Sequence, residues 1–317
     1  PIDTVSALAF DPDDDGSTLL ATSWDGVARL YDGRRGTLLH ASASVSGTPL
    51  VPLLSGCYVT GGRGILLGGL DGQVRCWQPS STPSVASSSS TPLAVLGTHA
   101  AAVSALAFAT ETSLAISGSW DGTCAFWDVR RANLSSSASA CVHRFSVSGK
   151  VFALDVRGET MLLGLSNRMM AAYDVRRPGR LLWQMASPLK YMTRSLALAP
   201  DDSGTFVLGS IEGRVAMDSV VRAPAAAAAN TPSPSPPLRY AFKCHRELTD
   251  VATRIHSIEA LAFHPTYGTF ASGGTDGMVN VWDGRQRKRI RQLPRVPAGG
   301  ITSMAFSGAG DRLAIAA

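Results

Sequence analysis

One phrase returns along this 317-residue chain, and its period limits the fold more than any single residue does. Its acidic or amide turn falls at Asp25, Asp71, Asp121, Asn167, Glu212 and Asp276, at intervals of 46, 50, 46, 45 and 64 residues. A unit of that length cannot bury its own apolar face. It must stack against copies of itself.

Each copy has the same grammar. An alternating apolar run comes first: VSALAF at Val5 and again at Val103, VFALDV at Val151, IEALAF at Ile258 and ITSMAF at Ile301. A run of small residues follows, such as LLATS, LAISGS, MLLGLS, FVLGS or FASGG. A two-residue turn of the Asp-Gly kind then leads to a third run. That run closes on Tyr31-Asp32, Trp127-Asp128, Tyr173-Asp174 or Trp282-Asp283. Period-2 alternation means strands, and Asp-Gly supplies the positive φ that a tight hairpin needs.

A period near 45 residues with a terminal aromatic–aspartate pair is the signature of WD repeats, so the predicted fold is an all-β, seven-bladed WD-repeat β-propeller. Its tryptophans, Trp127 and Trp282, are expected between blades. Its turn acids, Asp25, Asp71, Asp121 and Asp276, are expected to bond backbone groups and, in one blade, His99 of GTHAAAV. Residues 1–317 are read as a single propeller domain. ITSMAF and RLAIA begin a last blade that stops before its third strand, so both sides of the closure are expected to be missing or disordered. Low-complexity loops are expected at 79–92 and 223–237.

Composition agrees and excludes little else. Charged residues are sparse at 17% and the net charge is a mild +5, which does not establish nucleic-acid binding. No apolar run approaches a membrane span, and no signal peptide opens the chain, although a start at Pro1 suggests a trimmed fragment. Cys57, Cys76, Cys124, Cys141 and Cys244 form no CxxC pair and read as free thiols of the cytosol or nucleus.

Catalytic signatures are absent: there is no GxSxG, HExxH, P-loop or dinucleotide fingerprint. GGRGILLGG at Gly61 reads as turn and strand. The six histidines do not fall at metal-ligand spacing, and Cys244-His245 reads as a structural neighbour pair. No enzyme activity, metal or cofactor is expected.

Binding has more to hold it up. Cations recur at Lys190, Arg194, Arg214, Lys243 and Arg246, several of them one repeat apart. In the fifth repeat Met217-Asp218 replaces the aromatic–aspartate pair. The residues alone leave two readings open: a solvated basic face with a degenerate repeat, or a functional patch.

SPLKYMTR, GSIEGRVA, YAFKCHR, LAFHPTYGTFASGGTDG and FSGAGDRLAIAA together resemble the Bub-type mitotic checkpoint WD-repeat proteins. They resemble almost as much a sister group, the messenger-RNA export factors of the nuclear pore. The resemblance spans essentially the whole chain. It implies a nuclear and kinetochore adaptor that binds the GLEBS peptide motif of a checkpoint kinase or pseudokinase and docks on a phosphorylated kinetochore scaffold. By motif, Arg214 and Arg194 would hold acidic residues of the peptide, and Lys243 and Arg246 would face acidic or phosphorylated groups. Trp24 and Trp120 would offer apolar contact to the peptide at the top rim, with inter-blade or rim packing as the equal alternative. Under the sister-group alternative the partner is a nucleoporin, with nucleic acid open. Three features depart from the family pattern: no acidic residue follows His99, an Ala/Pro insertion occupies 223–237, and a basic VRRPGRLLWQ follows Asp174.

Overall fold

The computed structural model describes residues 3–14, 16–42, 50–62, 64–79, 93–131, 140–201, 203–220 and 239–317. The two expected low-complexity loops lie outside these residues, apart from Pro79. Blade 1 comprises β1 (Val5–Phe10), β2 (Thr18–Ser23), β3 (Ala28–Asp32) and β4 (Leu38–Ala41). Blade 2 comprises β5 (Leu53–Val59), β6 (Gly64–Gly69), β7 (Gln73–Trp77) and β8 (Leu93–Thr98). Blade 3 comprises β9 (Val103–Ala109), β10 (Leu114–Ser119), β11 (Thr123–Trp127) and β12 (Cys141–Ser146). Blade 4 comprises β13 (Val151–Arg157), β14 (Thr160–Leu165), β15 (Met169–Asp174) and β16 (Leu181–Ala186). Blade 5 comprises β17 (Thr193–Leu198), β18 (Thr205–Ser210), β19 (Arg214–Ser219) and β20 (Tyr240–Lys243). A hairpin of β21 (Arg246–Leu248) and β22 (Thr253–Ile255) precedes blade 6, which comprises β23 (Ile258–Phe263), β24 (Thr269–Gly274), β25 (Val279–Asp283) and β26 (Lys288–Gln292). Last come β27 (Ser303–Phe306) and β28 (Leu313–Ala316).

Every blade is an antiparallel meander in chain order. The inner strands β1, β5, β9, β13, β17, β23 and β27 lie side by side in that order, and β27 returns to β1. The described residues thus build six four-stranded blades rather than the seven expected. The remaining gap is bridged by the two-stranded β27–β28 sheet, because the segment 301–317 contributes one hairpin.

The small-residue runs have a physical cause. The second strands β6, β10, β14, β18 and β24 share one pattern, buried at every residue after the first. Both of their faces meet neighbouring blades, so alternation is lost and bulk is limited. A Cβ on Gly118 would lie 2.6 Å from Val151 Cγ1 of the next blade, and one on Gly273 only 2.5 Å from Ile301 Cγ2. Each such glycine is a socket for a β-branched side chain opening the following blade. Full burial of that side chain contributes roughly 1.5–3 kcal/mol.

Cores therefore form between blades. One joins Leu66 and Val74 of blade 2 to Val103, Ala115 and Trp127 of blade 3. Another joins Ala260 and Ala271 of blade 6 to Ile301 and Met304, closing the ring through β27. In blade 5, Met217 stays buried among Phe270, Tyr240, Phe242 and Trp282. The lost tryptophan is replaced by apolar packing.

Candidate functional site

A hydrogen-bonded chain fixes the tight turn of blade 3. Thr123 Oγ1 donates to Asp121 Oδ1 at 2.7 Å, so it accepts from His99 Nδ1–H at 2.8 Å. His99 Nε2 is then an acceptor and takes the Ser117 hydroxyl proton at 2.7 Å, while Ser117 Oγ accepts Trp127 Nε1–H at 2.7 Å. The imidazole is neutral by this logic. Burial, the largest influence, pushes its pKa below the ordinary 6.5 despite the Asp121 charge. Burial raises Asp121, but hydrogen bonds from Thr123 and the Ala100 N–H outweigh it and hold the carboxyl below its ordinary range.

Blade 6 repeats the device. His245 Nδ1 lies 3.0 Å from both Asp276 carboxylate oxygens, its Nε2 lies 2.8 Å from Ser272 Oγ, and Trp282 Nε1 donates to Ser272 Oγ at 2.8 Å. Sequence reasoning missed this histidine's part in the network. In blades 1 and 2 an arginine four residues after the acid does the work: Arg29 pairs with Asp25 and Arg75 with Asp71. Both arginines were visible as DGVAR and DGQVR.

These turns and the loops leading from each outer strand to the next inner strand project from one end of the ring. Backbone bonds tie the two together: Trp24 N–H to Thr4 O, Trp120 N–H to Ala102 O, and Ile211 N–H to Met192 O, at 3.0, 3.0 and 3.2 Å. On this face Trp24 is 45% exposed, and Leu70, Tyr191 and Ile211 are exposed with it. Trp120 is half-buried. Leu70 and Ile211 occupy the same pre-acid position as Trp24 and Trp120, a signal the sequence carried.

Blade 5 brings the candidate cations together. Arg214 opens β19, and its register partner across the sheet is Lys243 of β20. Arg246 Nη2 donates to Glu212 O at 2.9 Å and so braces the turn before Arg214. Arg214 Nε lies 3.5 Å from Glu212 Oε2 and makes no hydrogen bond among the described residues. Arg214, Lys243 and Arg246 thus lie around the Glu212 turn, and of the three only Arg214 faces its carboxylate. Directly opposed like charges are destabilising unless an anion relieves them. Arg194 lies two strands inward on β17, where its ion pair with Glu259 of β23 crosses between blades. Lys190 contributes its carbonyl to Arg168 Nη1 at 3.0 Å.

A cleft of about 410 Å³ continues outward from this cluster between blades 5 and 6. Lys243, Arg246, Arg289 and Arg295 line it, with His245 and Trp282 at its base. Among the described residues no group of His, Cys, Asp or Glu could hold a metal ion. None of the five cysteines is in a disulfide. Burial pushes Cys57 and Cys244 up to about 12, far from reactive thiolates.

Four-stranded meanders around a ring, locked by Asp–His–Ser–Trp networks, define a WD-repeat β-propeller. A family profile described as WD domain, G-beta repeat (WD40) matches residues 3–32, 90–128 and 240–283. The crystal structure of RRP9 WD40 repeats shares the fold, with a TM-score of 0.76 over 98% of this chain and 86% of that one at 20% identity. The mitotic checkpoint protein bub-3 of Caenorhabditis elegans is 36% identical over 318 residues, covering 100% of this chain and 84% of that protein. The mRNA export factor GLE2 of Chaetomium thermophilum is 27% identical over 325 residues, covering 100% and 81%. The chain belongs to the Bub-type mitotic checkpoint family of WD-repeat proteins, with the export factors as its next relatives.

Proposed function

We propose that this chain is a non-enzymatic checkpoint adaptor, one propeller over residues 1–317 with a ring of seven positions. It holds an acidic GLEBS-type peptide of a mitotic checkpoint kinase or pseudokinase across the turn face. It carries that kinase to a phosphorylated kinetochore scaffold, acting in the nucleus and, in mitosis, at kinetochores. The observation behind this reading is the opposed pair Arg214 and Lys243, with Arg246 bracing the turn between them and only Arg214 facing the Glu212 carboxylate. A peptide carboxylate would be held bidentately by Arg214 and would relieve that repulsion. Arg194, already paired, offers its remaining N–H groups. Trp24, Trp120, Leu70 and Ile211 would supply apolar contact around the charged centre. A rigid ring leaves most of the ordering cost to the peptide.

Arg214→Ala tests this. The side chain is part-exposed and makes no hydrogen bond among the described residues, so stability should move by less than about 0.5 kcal/mol. Loss of a charged anchor should weaken an acidic peptide by about 25-fold or more, measured by calorimetry. Unchanged affinity would remove Arg214 from the site. Similarity to an export factor along the full chain supports the second reading, a pore-associated export adaptor bound to a nucleoporin. A pull-down from mitotic cells separates the two: a checkpoint kinase supports the first, a nuclear pore protein with messenger RNA the second.

A further inference from the structure

The run DPDDD, which begins at Asp11, holds four acids in five residues. Its described residues lie in the turn between β1 and β2. Each meander reverses at every strand, so this turn sits at the end of the ring opposite the Asp-Gly turns. A cavity of about 580 Å³ opens beside it, between blades 1 and 2. Leu30 and Leu39 of blade 1 and Val59 and Ile65 of blade 2 give the cavity an apolar lining. Asp11, Asp13, His40 and Tyr58 are among its polar groups.

These polar groups are held in place but not satisfied. Asp13 Oδ2 accepts the Gly61 N–H at 2.6 Å and the Gly62 N–H at 3.3 Å, which ties the β1–β2 turn to the β5–β6 turn of the next blade. Asp11 Oδ1 accepts the Asp13 N–H at 2.9 Å. Asp25 and Asp71 hold Arg29 and Arg75, whereas neither Asp11 nor Asp13 has an ion pair among the described residues. Burial, the largest influence, lifts the Asp11 carboxyl above its ordinary 3.8. The Tyr58 hydroxyl is buried and has no hydrogen-bond partner among the described residues. Burial first, then the charges of Asp11 and Asp14, push its pKa up. A buried hydroxyl without a partner costs free energy that a bound polar group recovers.

We propose that this cavity seats an arginine side chain from a basic peptide segment of a partner protein. An arginine matches each part of it. The methylene stem lies on the aliphatic lining, the guanidinium forks onto a carboxylate, and an N–H remains for the Tyr58 oxygen. A wholly apolar side chain would leave the carboxylates and the hydroxyl desolvated without partners, and an anion would be repelled. A bare metal ion does not fit, since among the described residues no group of His, Cys, Asp or Glu could hold one. The described lining residues include no lysine or arginine. Residues 80–92, which follow the lining residue Pro79, hold neither. The volume leaves room for the backbone that carries the arginine. The cavity lies at the opposite end of the ring from Arg214, so the proposal does not depend on the peptide site of blade 5.

The test is fluorescence anisotropy of the full chain with a labelled peptide, Ser-Gly-Leu-Arg-Leu-Gly-Ser. A twin peptide carries citrulline, the same shape without the charge, in place of arginine. The arginine peptide should bind saturably with a Kd below about 1 mM, and its twin about 10-fold more weakly or worse. Asp11→Asn keeps the acceptor for the Asp13 N–H but loses the charge, and should weaken the arginine peptide about 10-fold. Tyr58→Phe should weaken it about 3- to 10-fold while its urea midpoint holds or rises, because the hydroxyl it removes has no partner among the described residues. No saturable binding up to about 1 mM chain overturns the proposal, as does equal affinity for the citrulline twin. Wild-type affinity in both variants overturns it by placing the peptide elsewhere. Arg63, between Gly62 and Gly64 in sequence, lies outside the described residues. A 10-fold gain in peptide affinity on Arg63→Ala, flagged here as roughly that size, also overturns the proposal, since the chain then fills the cavity itself.

Discussion

Replacing Ser117 by alanine removes one oxygen and isolates two buried groups. Ser117 Oγ is fully buried and sits 2.7 Å from both His99 Nε2 and Trp127 Nε1. His99 and Trp127 are both buried from solvent. An unsatisfied buried polar group costs about 1–3 kcal/mol, so Ser117→Ala should destabilise by about 3 kcal/mol. Trp127→Phe leaves the serine donating to His99 but removes the indole donor and part of a fully buried ring, so it should cost about 2–4 kcal/mol, mostly from lost packing. The double variant should then fall short of additivity by about 1 kcal/mol. Ser272→Ala in blade 6 should cost somewhat less than Ser117→Ala, because Asn280 Nδ2 stands 3.4 Å from His245 Nε2 and can replace the serine. Urea unfolding followed by circular dichroism gives all four values from midpoints at constant m. A Ser117→Ala protein within 0.5 kcal/mol of wild type would refute the directional chain from Trp127 to Asp121.

Two further outcomes follow from the same geometry. Gly97→Val should cost at least about 2 kcal/mol in the same assay, because a Cβ at Gly97 would lie 2.3 Å from the Trp127 ring, which packs across the blade boundary. Acid should destabilise the protein in two steps. His99 has a folded pKa below the ordinary 6.5, so the unfolded chain binds its proton first and stability falls as pH drops below about 6.5. Asp121 and Asp276 are held below the ordinary 3.8, so their contribution, intact above that value, is lost as pH drops beneath it. His99→Gln should flatten the first step and leave the second in urea midpoints taken from pH 8 to 3.

Much of the site was legible because local chemistry repeats in register. The acidic turns, His99 and the basic motifs of blade 5 could all be read from spacing or resemblance. His245 escaped for a specific reason. His99 precedes its inner strand at Val103 by four residues, whereas the β21–β22 hairpin places His245 thirteen residues before Ile258. An insertion breaks spacing without moving the side chain in space. Glu259 escaped because its partner Arg194 is 65 residues away, across a blade boundary. The cations on and just after β26 were plain in the sequence, but nothing local showed that Lys288, Arg291 and Arg295 make no ion pair or side-chain hydrogen bond among the described residues.

The sequence by itself determined the blade. Period-2 alternation, Asp-Gly turns and the aromatic–aspartate ending are short-range properties, and short-range sterics and hydrogen bonding suffice to specify a four-stranded meander. Tertiary structure decided everything that depends on one blade meeting another. It made Gly97 a seat for Trp127, gave Arg194 its counter-ion and bridged the ring through β27 and β28. Those relations join residues far apart along the chain, and only closure of the ring brings them within the few ångströms over which packing and charge act.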